Sequence, residues 1–163
     1  MDKNHLLTLN LGKTLGCLRG ILSQAEIAKI EAAISENTRQ LIRLAEDHLR
    51  FAGRANGRSS WRQRVSRGYY SCYVASRAIR LACKLEYSQD VKDHKSIANL
   101  PTDFPERTIW EDRLTKFRAD RNISDYDHSV TERNLEFSSQ TYLEYAAIFL
   151  RESKGYLRSK GRL

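Results

Sequence analysis

Four long stretches in which apolar residues recur at helical spacing, with no strand-like alternation to compete, restrict this chain to an all-α fold. The first opens on Ser23-Gln24-Ala25-Glu26, the form of a capping box, and carries Ile27, Ile30, Ile34, Leu41, Leu44 and His48, which predicts a helix over residues 24–52. Gly53, Asn56 and Gly57 then mark a loop. The second stretch begins near Ser60 with Val65, Tyr69, Cys72, Ser76, Ile79 and Cys83 on one stripe and is expected to end around Tyr87. Residues 88–106 hold both prolines and read as a connection with one short turn at 95–100. A third helix is expected from Thr108, where Thr108-Ile109-Trp110-Glu111 repeats the capping-box form, to about Ile123. A further box, Ser129-Val130-Thr131-Glu132, is expected to open the fourth, with Leu135, Tyr142, Tyr145, Ala146 and Phe149 facing inward and a basic tail fraying after Lys154. The organisation this implies is an N-terminal extension over 1–22, an up-and-down bundle of four long helices with short additional helices over 23–158, and a basic tail over 159–163. A weak apolar pattern in the extension suggests a short helix lying across the bundle.

A chain of 163 residues can bury a real core without disulfides or metal. Its three cysteines, Cys17, Cys72 and Cys83, form no Cys-x-x-Cys pair, which argues against a secreted disulfide framework and against a zinc site, and favours core packing in a reducing cytoplasm. The apolar run at 6–11 is too short for a membrane span or a signal segment, so a soluble protein is expected.

The net charge of +8 is localised. Residues 48–85 hold nine bases (Arg50, Arg54, Arg58, Arg62, Arg64, Arg67, Arg77, Arg80 and Lys84) and no acid, and without them 19 bases face 20 acids. Eight of the nine are arginine, whose planar fork matches phosphate oxygens, so a polyanion is the natural partner. The plainer alternative is a solvated face, although solubility alone favours mixed signs.

Several motifs fail. Gly12-Lys13-Thr14 has Leu7 where a phosphate-binding loop needs its first glycine. No nucleophile elbow occurs, and His5, His48 and His94 are scattered, which predicts no metal site and no cofactor.

What survives is the stretch 116–128, which places Arg121, Asn122, Asp125, Tyr126, Asp127 and His128 between two helices. If the box at Ser129 forms, His128 precedes a helix N-terminus, where the dipole disfavours imidazolium and leaves the neutral form a general base needs. Arg121 and His128 would then share one small space. The alternative is a helix-terminal arginine that binds carbonyls or pairs with Asp125 or Asp127, beside a surface histidine.

Arg121-Asn122 followed by His128 resembles the signature of the HEPN family (higher eukaryote and prokaryote nucleotide-binding domains), an Arg followed after four to six residues by His. The run from Ser66 through Tyr69-Tyr70 to Arg77-Ala78 is similar to the Tyr-Tyr helix of small stand-alone prokaryotic members, and Asp125-Tyr126 and His94-Lys95 fit the layout of that group. The likeness spans about residues 24–157. Six intervening residues are the long end of the spacing, and Val130 stands where a Tyr is common.

That resemblance implies a homodimer with facing Arg/His motifs and a metal-independent endoribonuclease, in a toxin or phage-defence role, with a nucleotidyltransferase antitoxin as a possible partner. RNA cleavage would proceed by 2′-hydroxyl attack on the neighbouring phosphate, with His128 moving the proton, Arg121 stabilising the phosphoryl charge and Asn122 holding the arginine or a phosphate. Arg62, Arg64, Arg67 and Arg77 are the expected track for the strand. Tyr69 is expected in the core, while Tyr70 either stacks on a base or hydrogen-bonds near Arg121. The rival expectation is a HEPN-like module that binds nucleic acid or a protein and cuts nothing.

Overall fold

The computed structural model describes residues 20–163 apart from positions 56, 58, 59, 87, 89 and 90. The expectations for the N-terminal extension, Cys17, His5 and the Gly12-Lys13-Thr14 run lie outside the described residues. The order is α1 (Gln24–Arg54), α2 (Trp61–Lys84), a 3-10 segment (Val91–Ser96), α3 (Arg107–Tyr126), a 3-10 turn (Glu132–Asn134) and α4 (Ser139–Ser159). The described residues contain no strand, and none of their helices is long and apolar enough to cross a membrane.

α1 starts as the sequence predicts. Ser23 accepts from the Glu26 backbone N–H, and the Glu26 carboxylate accepts in return from the Ser23 N–H at 2.8 Å, which satisfies two donors the first turn leaves open. α2 is the centre of the packing, in contact with α1, α3 and α4. Five of its six stripe residues are buried as expected, and its other faces are buried as well, with Gly68, Ala75, Ala78 and Ala82 all sequestered. Small side chains let three neighbours approach at once. Ser71 and Ser76 fit there because their hydroxyls donate to the carbonyls of Ala45 and Ile97, at 2.8 and 2.7 Å. Trp110, Leu114 and Phe117 of α3 and Tyr142, Ala146 and Phe149 of α4 complete the core.

Four local expectations are corrected. α3 begins at Arg107 after Glu106, whose φ of 48° breaks the chain direction, so Thr108 is already helical and Glu111 pairs with Arg107 instead of capping. α4 begins ten residues after the Ser129 box. Asp127 captures both the N–H and the hydroxyl of Ser129, at 2.9 and 2.6 Å, and Thr131 with Asn134 caps a single 3-10 turn. The buried Asp120 carboxylate then takes the N–H groups of Glu136 and Phe137, so the chain turns before Ser138 caps α4 by accepting from Thr141. The C-terminal segment stays helical to Ser159, held by buried Tyr156 and Leu157 and by Asp103, which accepts from Tyr156 and Lys160. Cys72 is fully buried but Cys83 is exposed, so core packing holds for only one of the two.

Candidate functional site

The acid-free segment does not form the open cationic track its composition suggests. Arg62 reaches from α2 to the C-terminal end of α3, donating to the carbonyls of Ser124, Asp127 and Val130. Ser124 lies in the last turn of α3 and Asp127 is its C-cap, where carbonyls lack intrahelical donors, and a cation suits the negative end of the dipole. Arg64 donates to the Ala55 carbonyl at 2.7 Å, closing the turn from α1. Arg77 donates to the Ser88 carbonyl at 2.9 Å. Arg80 is buried and makes a two-pronged pair with Asp93, both contacts at 2.8 Å. Arg67 differs: it is exposed, with its guanidinium 4.9 Å above the Phe51 ring and Nη1 3.4 Å from His48 Nδ1.

Arg121 lies on α3 where that helix crosses Tyr69 and Tyr70 of α2. Its Nη2 donates to Tyr70 Oη at 2.8 Å, its Nε lies 2.7 Å from Asp125, and its Nη1 donates to Asn122 at 3.2 Å. The rings of Tyr69, Tyr70 and Tyr126 surround the guanidinium with centroids 5.3 to 5.8 Å from Cζ. The hydrogen bond foreseen as one use of Tyr70, to Arg121, is present, and Tyr69 is buried as expected.

His128 is exposed in the chain beyond the α3 C-cap, and it is not among the polar partners of Arg121. The helix expected to start directly after it does not form there, because the residues that follow make a turn and α4 begins at Ser139. The pairing foreseen as the alternative, Arg121 with Asp125 one helical turn away, is present.

Two other histidines, His94 and His48, pack against the tyrosines of this centre. His94 shares a 2.8 Å hydrogen bond with Tyr69 Oη and stacks on Tyr73 with centroids 4.2 Å apart. Its pKa is lowered from the usual 6.5 by burial first and then by the Arg121 charge, against the pull of Asp93. His48 stacks on Tyr70 at 5.6 Å, and burial together with Arg67 lowers its pKa also. Both are therefore neutral imidazoles at pH 7. Tyr73, which donates to Asp93 at 2.9 Å, has its phenol pushed up to about 12 by burial, so it is a fixed donor at every ordinary pH. Proximity along the chain to Tyr-Tyr or Arg-Asn gave no signal for His48. For His94 the only signal was the His94-Lys95 pair before the predicted turn.

The site thus consists of a held arginine, four tyrosines and two neutral imidazoles, beside an open groove of about 530 Å³ lined by His48, Phe51, Ser66, Arg67, Tyr70 and Asp125 among others. It can present positive charge to an oxyanion and offer flat rings for stacking. No family model matches the chain, and comparison with curated proteins and with solved structures finds no match either.

Proposed function

We propose that this chain is a metal-independent endoribonuclease that works as a homodimer of HEPN-like up-and-down bundles, in a toxin or defence role. The supporting observation is the setting of Arg121. Tyr70 and Asp125 fix its guanidinium at the edge of a groove that also holds Arg67, and Asn122 and His128 are both exposed. An arginine held in place before substrate arrives stabilises developing phosphoryl charge with little reorganisation.

In this reading a ribose 2′-hydroxyl attacks the adjacent phosphorus. An imidazole accepts its proton, the P–O5′ bond breaks, and the 5′-oxygen leaves as a hydroxyl after protonation. The products are a 2′,3′-cyclic phosphate and a free 5′-hydroxyl. Arg121 bears the charge on the non-bridging oxygens. Since His128 does not contact Arg121 within one protomer, the proton transfer assigned to it belongs to a site shared by two copies.

A second reading, a module that binds RNA and leaves it intact, is favoured by the Asp125 carboxylate 2.7 Å from Arg121, which offsets the guanidinium charge. Incubating purified protein with end-labelled single-stranded RNA in EDTA separates the two. The proposal predicts cyclic-phosphate ends from the wild type and loss of cleavage, at unchanged helicity and oligomeric state, in His128→Ala. Retarded but uncut RNA supports the binding module, and equal cleavage by His128→Ala removes that histidine from the mechanism.

A further inference from the structure

We propose that the groove between α1 and α2 is a nucleotide subsite, in which one unstacked base lies against Phe51 with its phosphate on Arg67. This inference rests on the RNA reading above and gives Phe51 of α1 a ligand-binding role.

Phe51 is 51% exposed, an aromatic ring presented to water in the last turn of α1. It is not part of the hydrophobic core. Arg67 lies above this ring and contacts His48, and among the described residues it makes no ion pair. The neighbouring arginines of α2 are committed: Arg62 and Arg64 to backbone carbonyls, and Arg80 to Asp93. The one acid lining the groove, Asp125, is paired with Arg121. Arg67 is therefore the cation left for a ligand's phosphate. His48, whose pKa burial and the Arg67 charge lower, does not repel Arg67, and its ring forms a stacked wall with Tyr70.

Tyr70 connects the groove to the centre. One face of its ring meets His48, and its hydroxyl accepts from Arg121. A nucleotide seated on Phe51 and Arg67 directs the next linkage towards Arg121. A base inside a duplex is already stacked and paired and offers no free face, so the ring selects for single strands. Stacking on an aromatic side chain is tolerant of base identity, and little sequence preference is expected from this subsite.

The test uses the full chain and a fluorescein-labelled 12-nucleotide 2′-O-methyl RNA, which cannot undergo 2′-hydroxyl attack, with anisotropy as the readout. The single strand should bind at least about ten-fold more tightly than the same sequence in a duplex, and Phe51→Ala should weaken single-strand binding about ten-fold. Phe51→Leu, which keeps the apolar character and loses the π face, should weaken it also. Arg67→Gln should lower affinity and reduce the slope of log K against log salt by about one. Thermal melting of each variant reports whether the fold is intact. Equal affinity for duplex and single strand, wild-type affinity in Phe51→Ala and Arg67→Gln, no binding by the wild type, or preference for an acidic peptide over RNA each overturns the inference. Groove-dependent binding without any cleavage of natural RNA leaves this subsite standing and removes the nuclease, whereas cleavage unaffected by the groove variants does the reverse.

Discussion

Asp93→Ala is expected to lower the urea midpoint of unfolding by roughly 2 M. Asp93 and Arg80 are both almost fully buried, and the carboxylate accepts from Arg80 Nη1 and Nη2 at 2.8 Å each and from Tyr73 Oη at 2.9 Å, with Arg77 Nε at 3.8 Å. Alanine leaves the Arg80 guanidinium in that site without its counter-charge, which costs about 3–5 kcal/mol against a total stability of about 5–15 kcal/mol. With a urea slope of about 2 kcal/mol/M, the shift is about 1.5–2.5 M. Replacing both members, Arg80→Met with Asp93→Leu, should recover most of the loss, since the intact pair is nearly balanced by its own desolvation. Burial raises the pKa of Asp93, but the hydrogen bonds and charge of Arg80, with help from Tyr73 and Arg77, outweigh it and hold the carboxyl below its ordinary 3.8. A depressed folded-state pKa means the stabilisation is complete above that ordinary value and is lost as pH falls through the folded one. The gap between wild type and Asp93→Ala should therefore close in acid below about pH 3.8. A midpoint shift under about 0.3 M, or a gap that widens in acid, would refute the reasoning.

Arg62→Ala should cost about 1–3 kcal/mol in thermal or urea unfolding and speed amide exchange at the end of α3, because three carbonyls lose a charged donor. An unchanged melt with lost RNA affinity would return Arg62 to the strand track. Tyr70→Phe keeps the ring against His48 but removes the acceptor for Arg121, so RNA cleavage should fall about ten-fold with a stability change near 1 kcal/mol, and full activity would show that this bond does not position the arginine. Peptide mapping after thiol labelling should find Cys83 modified in the native protein and Cys72 only in denaturant. Partial burial raises the Cys83 thiol above its usual 9.0, so its labelling rate should still be climbing past that pH, and native labelling of Cys72 would contradict the core packing.

The parts of the fold that were legible in sequence are those decided within a few residues. Ser23 and Glu26 cap each other across a single turn, and the α2 stripe from Val65 to Ile79 is buried because helical spacing places it on one face. The start of α4 was not legible, since Ser129-x-x-Glu132 has the local form of a cap but Asp127 competes for the same serine, and Asp120, on another helix, holds the backbone at 136–137. The acid-free segment misled for a related reason. Counting charges finds no partner for Arg62 or Arg64, because their acceptors are backbone carbonyls that carry no formal charge, and Asp93, which pairs with Arg80 and lies 3.8 Å from Arg77 Nε, falls outside the counted window. At the site, Arg121 and Asp125 were readable as a pair one turn apart, and the hydroxyl of Tyr70 as one of two uses. The cluster of His94 with Tyr69 and Tyr73 depends on where the Val91–Ser96 segment returns against α2, which no local pattern specifies.

Arg121 is the group proposed to meet a scissile phosphate. The direct measurement is the rate of single-stranded RNA cleavage in EDTA by the wild type and by Arg121→Ala, compared at equal protein concentration and with melting curves in parallel. The account predicts cyclic-phosphate products from the wild type and a loss of at least about 100-fold in an Arg121→Ala protein that still folds, as for removal of a positioned oxyanion donor. An uncut substrate with the wild type, or undiminished cleavage by Arg121→Ala, would contradict it.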